Sequence, residues 1–437
     1  MRRGTLRLAA GLVAVGLGLV WPRSGLATNP DVRVGIAVDV PRVTVEATGA
    51  FSVRGSQHVL ASTSAAGSVL VQRTVAGLSV TLAGAVRDEE TGVVTIVPAA
   101  GHHLRVSGVL YRGRMEVHPG QAGRLVLVNV LPLEEYLYGV VPAEMPSGWP
   151  LEALRAQAVA CRTFAVNRLS APVRPGVFDL WPTTLHQVYG GLSRETARTN
   201  QAVDETRGQI LTLHGQPILA TYHSSSGGHT ESSHIVWGGN RTYLTGVPDF
   251  DEESPHRHWT VTWTPEGLGA QFQQAGHLVG AVMALRPAGI RGVSGRWTHY
   301  YVVGRLRTLR FSANEVRTIL GLHSTNFEVQ VGMSNPGPVT QVLSGHHTVE
   351  VLASAGRRAA IPLGRSQVVG AQGVSQPAGG LAVLAIRPAL HAVTLVGRGR
   401  GHGVGMSQWG ARGMALLGHD YRQILAHFYR GAVLTQR

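Results

Sequence analysis

The sequence contains no lysine and only one cysteine, Cys161, among its 437 residues. Without lysine, the chain has no P-loop lysine, no Schiff-base lysine and no serine–lysine dyad. A single cysteine forms neither an internal disulfide nor a cysteine-built zinc site. These absences exclude kinase, pyridoxal-phosphate and zinc-finger functions. Because Cys161 falls on the apolar stripe of a predicted helix, we expect a buried packing residue and not a nucleophile.

Charged residues are also scarce, at 15% of the chain, whereas 44% is hydrophobic. This composition is too apolar for a disordered chain, and the length predicts roughly two to three folded domains. The net charge of +14 rests entirely on arginine. Because no nucleic-acid-binding motif is present, we expect no nucleic-acid partner. Two explanations of the charge remain: an anionic polymer of the cell envelope as partner, or a genome composition that favours arginine over lysine.

The first 27 residues have the order of features found in secretory signals. Several arginines precede an apolar run from Leu8 to Val20, and small residues follow it up to Ala27. This order predicts a signal peptide over residues 1–27, cleaved after Ala27. The apolar run is short for a membrane span, which needs about 20 residues, but an uncleaved anchor is the alternative. We therefore expect an exported protein of the cell envelope, periplasmic or extracellular.

Two kinds of hydrophobic periodicity divide the rest of the chain. Residues 28–114 alternate short β-branched runs with turn residues, which predicts a β-rich N-terminal region. Behind Pro150, apolar residues recur at helical spacing, which predicts a long helix over residues 150–168. The other predicted elements are a hairpin at 115–117 and 124–128, a hairpin at 209–213 and 218–223, a capped helix at 312–320, and helices at about 407–417 and 420–429.

Common catalytic motifs are missing. The chain contains no G-x-S-x-G and no H-E-x-x-H sequence, and the glycines of the stretch Gly397–Gly405 stand at every second position, outside the dinucleotide-binding register. What remains is three polar segments far apart in sequence. The first contains Glu144 between two prolines, beside Met145 and Trp149. A carboxyl among apolar groups holds its proton more readily and suits a general acid, whereas the structural alternative is a helix-dipole or capping contact.

The second polar segment joins histidines, serines and glycines from His223 to His229 and continues to Trp237. Hydroxyls, imidazoles and glycines that permit close backbone approach suit a polyhydroxylated ligand, with Trp237 as a stacking surface. Two alternatives stay open: a flexible surface loop, or zinc held by His223, His229 and His234, although that spacing fits no standard zinc motif. We expect no metal and no cofactor.

The third polar segment places His402, Ser407 and Gln408 at the start of a predicted helix. Its glycines are expected to leave backbone N–H groups open to an oxygen of a ligand. A single site requires this segment and the second one to meet Glu144 in space.

Four motifs containing these segments resemble the SpoIID/LytB family of bacterial cell-wall proteins. They read VNVLPLEEYLYGVVPAEMP at 128–146, WPLEALRAQAVACRTF at 149–164, YHSSSGG at 222–228 and GHGVGMSQWGA at 401–411. Cys161 stands where the family more often has alanine, a small-for-small exchange. The resemblance implies a lytic transglycosylase that acts on peptidoglycan strands lacking stem peptides, with Glu144 as the catalytic acid. Other family members are similar to amidase enhancers, so a non-catalytic wall-binding protein that assists an amidase is the alternative.

One carboxyl suffices for the implied reaction. Ordinary glycosidases use two carboxylates, whereas a lytic transglycosylase uses the C6 hydroxyl of N-acetylmuramic acid as an internal nucleophile. Arg162 is expected to bind the carboxylate of muramic acid, and Trp149 or Trp237 to stack on a sugar. The expected substrate-binding residues are His223, Ser224, Ser225, Ser226, Gly227, Arg162, His402, Ser407 and Gln408.

These observations predict an α+β protein whose core is discontinuous in sequence. The expected divisions are a signal peptide (1–27), a β-rich N-terminal region (28–114), the first part of a mixed α/β core (115–254), a β-rich insertion (255–395) and the C-terminal part of the core (396–437). The expected partners are peptidoglycan glycan strands and, in the alternative, a cell-wall amidase.

Overall fold

The computed structural model describes residues 29–75, 77–89, 92–171, 176–333, 348–352, 358–362, 368–370, 373–375 and 390–437. The predicted signal peptide lies outside these residues. Sheets and helices both contribute to the core, which confirms the α+β class. In the part of the chain described, no helix has the length and apolar character that a membrane crossing requires.

The N-terminal region is built from two six-stranded sheets. In β2, Val43 and Val45 point into the core while Thr44 and Glu46 face solvent, as the period-2 pattern predicts. Buried side chains of both sheets belong to one apolar cluster, so the region is a β-sandwich. The sheet orders are β1-β12-β11-β8-β3-β4 and β10-β9-β2-β5-β6-β7. The strands are Asp31–Val40 (β1), Arg42–Ala47 (β2), Phe51–Arg54 (β3), Val59–Thr63 (β4), Gly67–Arg73 (β5), Leu78–Leu82 (β6), Ala85–Glu89 (β7), Val94–Pro98 (β8), Leu104–Val106 (β9), Val109–Tyr111 (β10), Arg114–Pro119 (β11) and Leu125–Pro132 (β12).

The predicted hairpin at 115–128 is confirmed as β11 and β12, but it belongs to the sandwich. Strand β12 pairs antiparallel with β1, from Asp31 opposite Pro132 to Val40 opposite Leu125. The expected boundary at residue 114 therefore falls inside a sheet, and the sandwich extends to Pro132. Turn residues alone do not show which strands pair, because pairing joins segments distant in sequence.

Helices follow the sandwich directly: Leu133–Glu144 (α1), Leu151–Leu169 (α2) and Ala197–Glu205 (α3). Proline precedes both α1 and α2, at Pro132 and Pro150, where its fixed φ suits a helix start. Helix α2 confirms the predicted helix at 150–168. It is buried along most of its length, Cys161 included, because helices and strands from both ends of the core pack around it. Three short strands and one helix follow, Gln209–Leu213 (β13), Gln216–Pro217 (β14), Tyr222–His223 (β15) and Ser233–Trp237 (α4).

Residues 259–397 include an apolar cluster of their own, separate from the clusters of the sandwich and of α2. The predicted helix after Ser312 is confirmed, with a capping box between Ser312 and Glu315. A second helix, at Pro265–Gln274, was not predicted, so the segment contains two helices where one was expected among the strands. The elements are Trp259–Trp263 (β16), Pro265–Gln274 (α5), Val282–Arg291 (β17), Trp297–Gly304 (β18), Thr308–Ser312 (β19), Ala313–Leu320 (α6), Phe327–Met333 (β20), Thr348–Leu352 (β21), Arg358–Pro362 (β22), Val368–Gly370 (β23), Gly373–Ser375 (β24) and Leu390–Gly397 (β25).

The end of the chain returns to α2. Met406–Ser407 (β26) pairs in parallel with β15, and Val433–Gln436 (β27) pairs antiparallel with β13. Between them lie the two predicted C-terminal helices, Gln408–Leu416 (α7) and Tyr421–Phe428 (α8), both of which pack against α2. The parallel pair aligns Tyr222 with Met406 and His223 with Ser407, which places the second and third polar segments side by side.

Candidate functional site

A groove of about 560 Å³ lies where the three polar segments meet, a size usual for ligand sites. Of the predicted site residues, Glu144, His223, Ser224, His402 and Gln408 line it. The contact between the first and third segments is direct, because the Gln408 Nε2 donates to the backbone carbonyl of Glu144 at 2.9 Å. The lining residues are Glu144, Phe164, Thr184, Leu185, His186, Thr221, Tyr222, His223, Ser224, Trp237, Arg317, Arg400, Gly401, His402 and Gln408.

Glu144 is the last residue of α1, and its carboxyl is half-buried at the wall of the groove. Burial raises the pKa of Glu144 above that of a free glutamate. The hydrogen bond from the Val188 N–H, at 2.6 Å to Oε1, opposes this rise in pKa, and so do the nearby side chains of Tyr222 and Gln408. The Val188 N–H therefore anchors one carboxyl oxygen, and the carboxyl retains its proton to higher pH than a free glutamate. No first-turn capping contact is involved, because Glu144 stands at the C-terminal end of its helix.

Tyr222 was not predicted as a site residue, although it begins one of the quoted motifs. Its hydroxyl accepts hydrogen bonds from Gln187 Nε2 at 3.2 Å and from Cys161 Sγ at 3.5 Å. The same hydroxyl lowers the pKa of the Glu144 carboxyl. Tyr222 thus links the buried face of α2 to Glu144, a connection that no local sequence pattern reveals.

The two groove histidines are neutral near pH 7. Burial lowers the pKa of His402 to about 4, and burial together with His402 and Arg296 lowers the pKa of His223 well below the usual value. His223 Nδ1 lies 3.3 Å from the Val404 carbonyl and Nε2 lies 2.8 Å from the Ser226 hydroxyl. His402 Nδ1 accepts from the Val404 N–H at 3.1 Å. Because these nitrogens have protein partners, the imidazoles offer a ligand mainly their ring faces.

Trp237 adds a third aromatic ring beside the two imidazoles. Its indole lies 5.0 Å from the His402 ring, which lies 5.3 Å from the His223 ring. Trp237 is 41% exposed and lines the groove. Trp149, the other predicted stacking residue, lies outside the groove lining and packs edge-on against Trp409 at 4.8 Å. The stacking role predicted for either tryptophan is therefore available only to Trp237.

Most of the serine loop does not face the groove, contrary to the prediction for Ser225, Ser226 and Gly227. The Ser225 hydroxyl donates to Asp251 Oδ2 at 2.5 Å, and the Gly227 N–H donates to the same oxygen at 2.7 Å. The Ser226 N–H donates to Asp249 Oδ2 at 3.2 Å. Ser225 and Ser226 are fully buried, so two carboxylates hold the loop from beneath and only Ser224 reaches the groove.

Asp249 and Asp251 were missed by the sequence analysis. Burial and the neighbouring Asp251 raise the pKa of Asp249 above that of a free aspartate. Their spacing of two residues was the available signal, because both carboxylates hold the same loop. From the opposite side, Arg296 NH2 donates to the Ser226 carbonyl at 3.1 Å, so residues beyond the loop determine its shape.

Arg162 is the clearest correction. Its guanidinium makes a two-pronged ion pair with Glu134, with Nε to Oε1 and NH2 to Oε2 both at 2.8 Å. Both side chains are buried, at 1% and 3% exposure. Arg162 therefore does not reach the groove and does not bind substrate. The reason is helix register, because Arg162 lies on a face of α2 that packs against α1 and α3.

Ser407 and the glycine-rich stretch also serve the fold. The Ser407 hydroxyl caps α7 by accepting from the Gly410 N–H at 3.0 Å. Several N–H groups expected to face a ligand donate to protein carbonyls, as Arg400 does to Ser225 and Gly401 does to His323. Gly399, at φ +73, packs so closely on Ser225 and Ser226 that a Cβ would lie 2.5 Å from backbone atoms. The glycines permit this close contact between segments.

The described residues contain no cluster of three metal-ligating side chains. His229 Nδ1 lies 2.7 Å from the Thr230 carbonyl, and His234 is exposed on α4. His223, His229 and His234 do not form the zinc site left open by the sequence.

Comparison with known proteins gives related sequences. The family model described as SpoIID, Stage II sporulation protein, matches residues 121–213, which include Glu144. The chain is 30% identical to the "Amidase enhancer" of Bacillus subtilis over 309 residues, which is 68% of this chain and 40% of that protein. It is 28% identical to "Stage II sporulation protein D" of the same species over 331 residues, 71% of this chain and 76% of the relative. An uncharacterized protein of Brachyspira hyodysenteriae is 30% identical, over 75% of this chain and 72% of its own.

Proposed function

The chain belongs to the SpoIID family, and from this premise we propose that it is a lytic transglycosylase. It cleaves the bond between N-acetylmuramic acid and N-acetylglucosamine in peptidoglycan glycan strands, with Glu144 as acid and base. A cell-wall-related role is supported by the relatives. Export through residues 1–27 to the cell envelope is part of the same proposal.

The observation that carries the proposal is the isolation of Glu144. It is the only carboxyl among the described residues that line the groove, and its pKa is raised by burial. A two-carboxylate glycosidase requires a second acid within about 5–10 Å across the bond that is cut. A lone carboxyl that retains its proton suits a reaction in which the substrate supplies the nucleophile.

The reaction needs no group besides those described and the sugar itself. Protonated Glu144 donates its proton to the glycosidic oxygen, and the bond from that oxygen to C1 of the muramic residue breaks. The C6 hydroxyl of the same residue bonds to C1, and its proton passes to the Glu144 carboxylate, which restores the starting state. The products are an anhydro-ended fragment and a free N-acetylglucosamine end, and no water is consumed.

The product distinguishes this reaction from hydrolysis. We expect the purified protein to release 1,6-anhydro-ended fragments from peptide-free glycan strands, and mass spectrometry of digests made in ¹⁸O-water should find no label at the new ends. Labelled reducing ends would show hydrolysis and would overturn the transglycosylase mechanism.

A second function is favoured by one comparison, the relative named "Amidase enhancer". In this alternative the groove binds glycan without cutting it, and the protein stimulates a cell-wall amidase. The two functions differ in what the variant Glu144→Gln loses: a pure binder retains its full amidase stimulation, because binding requires no proton donor, whereas a transglycosylase loses the release of anhydro-ended fragments.

Tyr222→Phe tests how the acid is tuned. The Tyr222 hydroxyl lowers the pKa of Glu144, so its removal raises that pKa further. Because the acid must be protonated in the free enzyme, kcat/KM falls as pH rises through this pKa. We expect the alkaline limb of the kcat/KM profile to move to higher pH in Tyr222→Phe.

Tyr136→Phe is the matched control for this shift. The Tyr136 hydroxyl bonds Gln187 Oε1 at 3.1 Å, in the same buried network, without bonding Glu144. It should leave the limb in place. If the alkaline limb of the kcat/KM profile falls at the same pH in wild type and in Tyr222→Phe, the tyrosine does not alter the pKa of Glu144.

A further inference from the structure

Two arginines line the groove without a carboxylate partner in the described part of the chain. Arg317 lies in the last turn of α6, and Arg400 lies in the glycine-rich stretch, next to His402. Neither forms an ion pair with any residue that the structure describes. Nothing in the sequence pattern singled out either residue. Arg317 is half-buried and Arg400 is exposed at the rim of the groove. Because a partly buried arginine usually has an anionic partner, Arg317 is unusual.

The hydrogen bonds of both guanidinium groups leave donors free. Arg317 uses Nε toward the Leu322 carbonyl at 3.3 Å, and Arg400 NH1 lies 3.1 Å from His256 Nε2. Within the described residues no protein partner is found for the terminal nitrogens of Arg317. A guanidinium carries five N–H donors, so most of the donor capacity of this pair is available to a ligand.

The backbone holds Arg400 in place. The Arg400 N–H donates to the Ser225 carbonyl at 2.8 Å, and the Ser225 N–H donates back to Arg400 at 3.1 Å. This reciprocal pair ties Arg400 to the serine loop, which Asp251 holds through Ser225. The backbone of Arg400 therefore has a defined position relative to the groove before any ligand binds.

The charges of the groove favour an anion. Burial lowers the pKa of Arg317, and the nearby charge of Arg400 lowers it further, so each positive group is unfavourable to the other. His223 and His402 are neutral, and Glu144 is the only groove carboxyl among the described residues. An anion between the two arginines would relieve their repulsion and gain charge-assisted hydrogen bonds.

We propose that Arg317 and Arg400 form an anion subsite that binds the lactyl carboxylate of a muramic residue in the glycan. The identity of the glycan rests on the proposed function, whereas the charge selectivity rests on the two arginines. This pair takes the role expected of the buried Arg162. Because a stem peptide converts the lactyl carboxylate into an amide, the subsite makes the groove selective for muramic residues without a peptide. The insertion contributes this selectivity through α6.

Binding can be separated from cleavage by measuring it with Glu144→Gln, which should not cut the ligand. The first probe is a fluorescent peptide-free glycan fragment, and the second is the same fragment with its carboxylates converted to amides. Two charge-assisted hydrogen bonds predict a Kd about tenfold or more lower for the carboxylate form. Adding Arg317→Gln and Arg400→Gln should make the two Kd values equal. Arg310→Gln, an exposed arginine of β19 outside the groove lining, is the matched control and should preserve the preference.

A neutral N-acetylglucosamine oligomer shows whether the variants remain folded, since its Kd should not change on loss of the arginines. If the double arginine change leaves the carboxylate preference intact, the subsite is wrong. A peptide-bearing fragment identifies the carboxylate: it should bind as weakly as the amidated form, and arginine-dependent tight binding would assign the anion to the peptide and overturn the lactyl assignment. If wild type releases no anhydro products but still prefers the carboxylate form through the two arginines, the proposed catalytic function is wrong and the proposed subsite is correct.

Discussion

Glu144→Gln is expected to abolish the release of anhydro-ended fragments, lowering kcat by about 10² to 10⁴-fold, the usual contribution of a positioned acid. Glutamine has nearly the shape of glutamate and can accept from the Val188 N–H, but it has no acidic proton to transfer to the glycosidic oxygen. KM should change little, because the groove contacts of the sugars remain. The measurement is steady-state product formation from peptide-free glycan, with fragments counted by chromatography.

Stability distinguishes the catalytic reading of Glu144 from the structural one. Its folded-state pKa is raised, so the ionised group costs folding free energy, and stability is lost as pH rises through that folded pKa. Glutamine does not titrate, and above that pKa Glu144→Gln should unfold at the same or a higher urea concentration than wild type. A variant that is both active and markedly less stable would assign Glu144 to the structure.

Arg162→Met is expected to lower the free energy of unfolding by about 3–5 kcal/mol, because it leaves the Glu134 carboxylate buried without its partner. The loss extends to the carbonyls of Val203 and Gln209, which accept from the same guanidinium. Urea unfolding at neutral pH measures the effect. Any fall in activity should match the fall in the folded fraction, so that the activity per folded molecule is unchanged.

Arg155→Met is the matched control, two turns earlier in α2. Arg155 pairs with Glu152 and Glu205 at partly exposed positions, and such pairs contribute about 0–1 kcal/mol. The double change Glu134→Leu with Arg162→Met removes both buried charges and should recover much of the loss. If Arg155→Met and Arg162→Met lower the free energy of unfolding by the same amount, burial of the Arg162–Glu134 pair is not the cause of the loss.

Local patterns predicted the elements well. Helix α2, the capped helix α6, the hairpin β11–β12 and the two C-terminal helices were all indicated by periodicity, caps and turns. Local patterns did not predict sheet membership, so the boundary at residue 114 fell inside the sandwich. Strand pairing is decided by contacts between distant segments, and these leave no mark on any one segment.

The sequence by itself predicted that three polar segments, including Glu144, His223 and His402, meet in one site, because the motifs that carry them resemble one family. Residue types do not say which way a side chain points. The tertiary structure decided that Ser225 and Ser226 turn to Asp251 and Asp249, and that Arg162 turns to Glu134.

The tertiary structure also decided which arginines line the groove. Arg317 comes from α6 and Arg400 from the glycine-rich stretch, and both line the groove because β26 pairs with β15 and the insertion packs beside it. The absence of lysine and of a second cysteine excluded kinase, pyridoxal-phosphate and zinc-finger functions from composition alone. Which arginines remain unpaired depends on burial and distance, and these are properties of the folded chain.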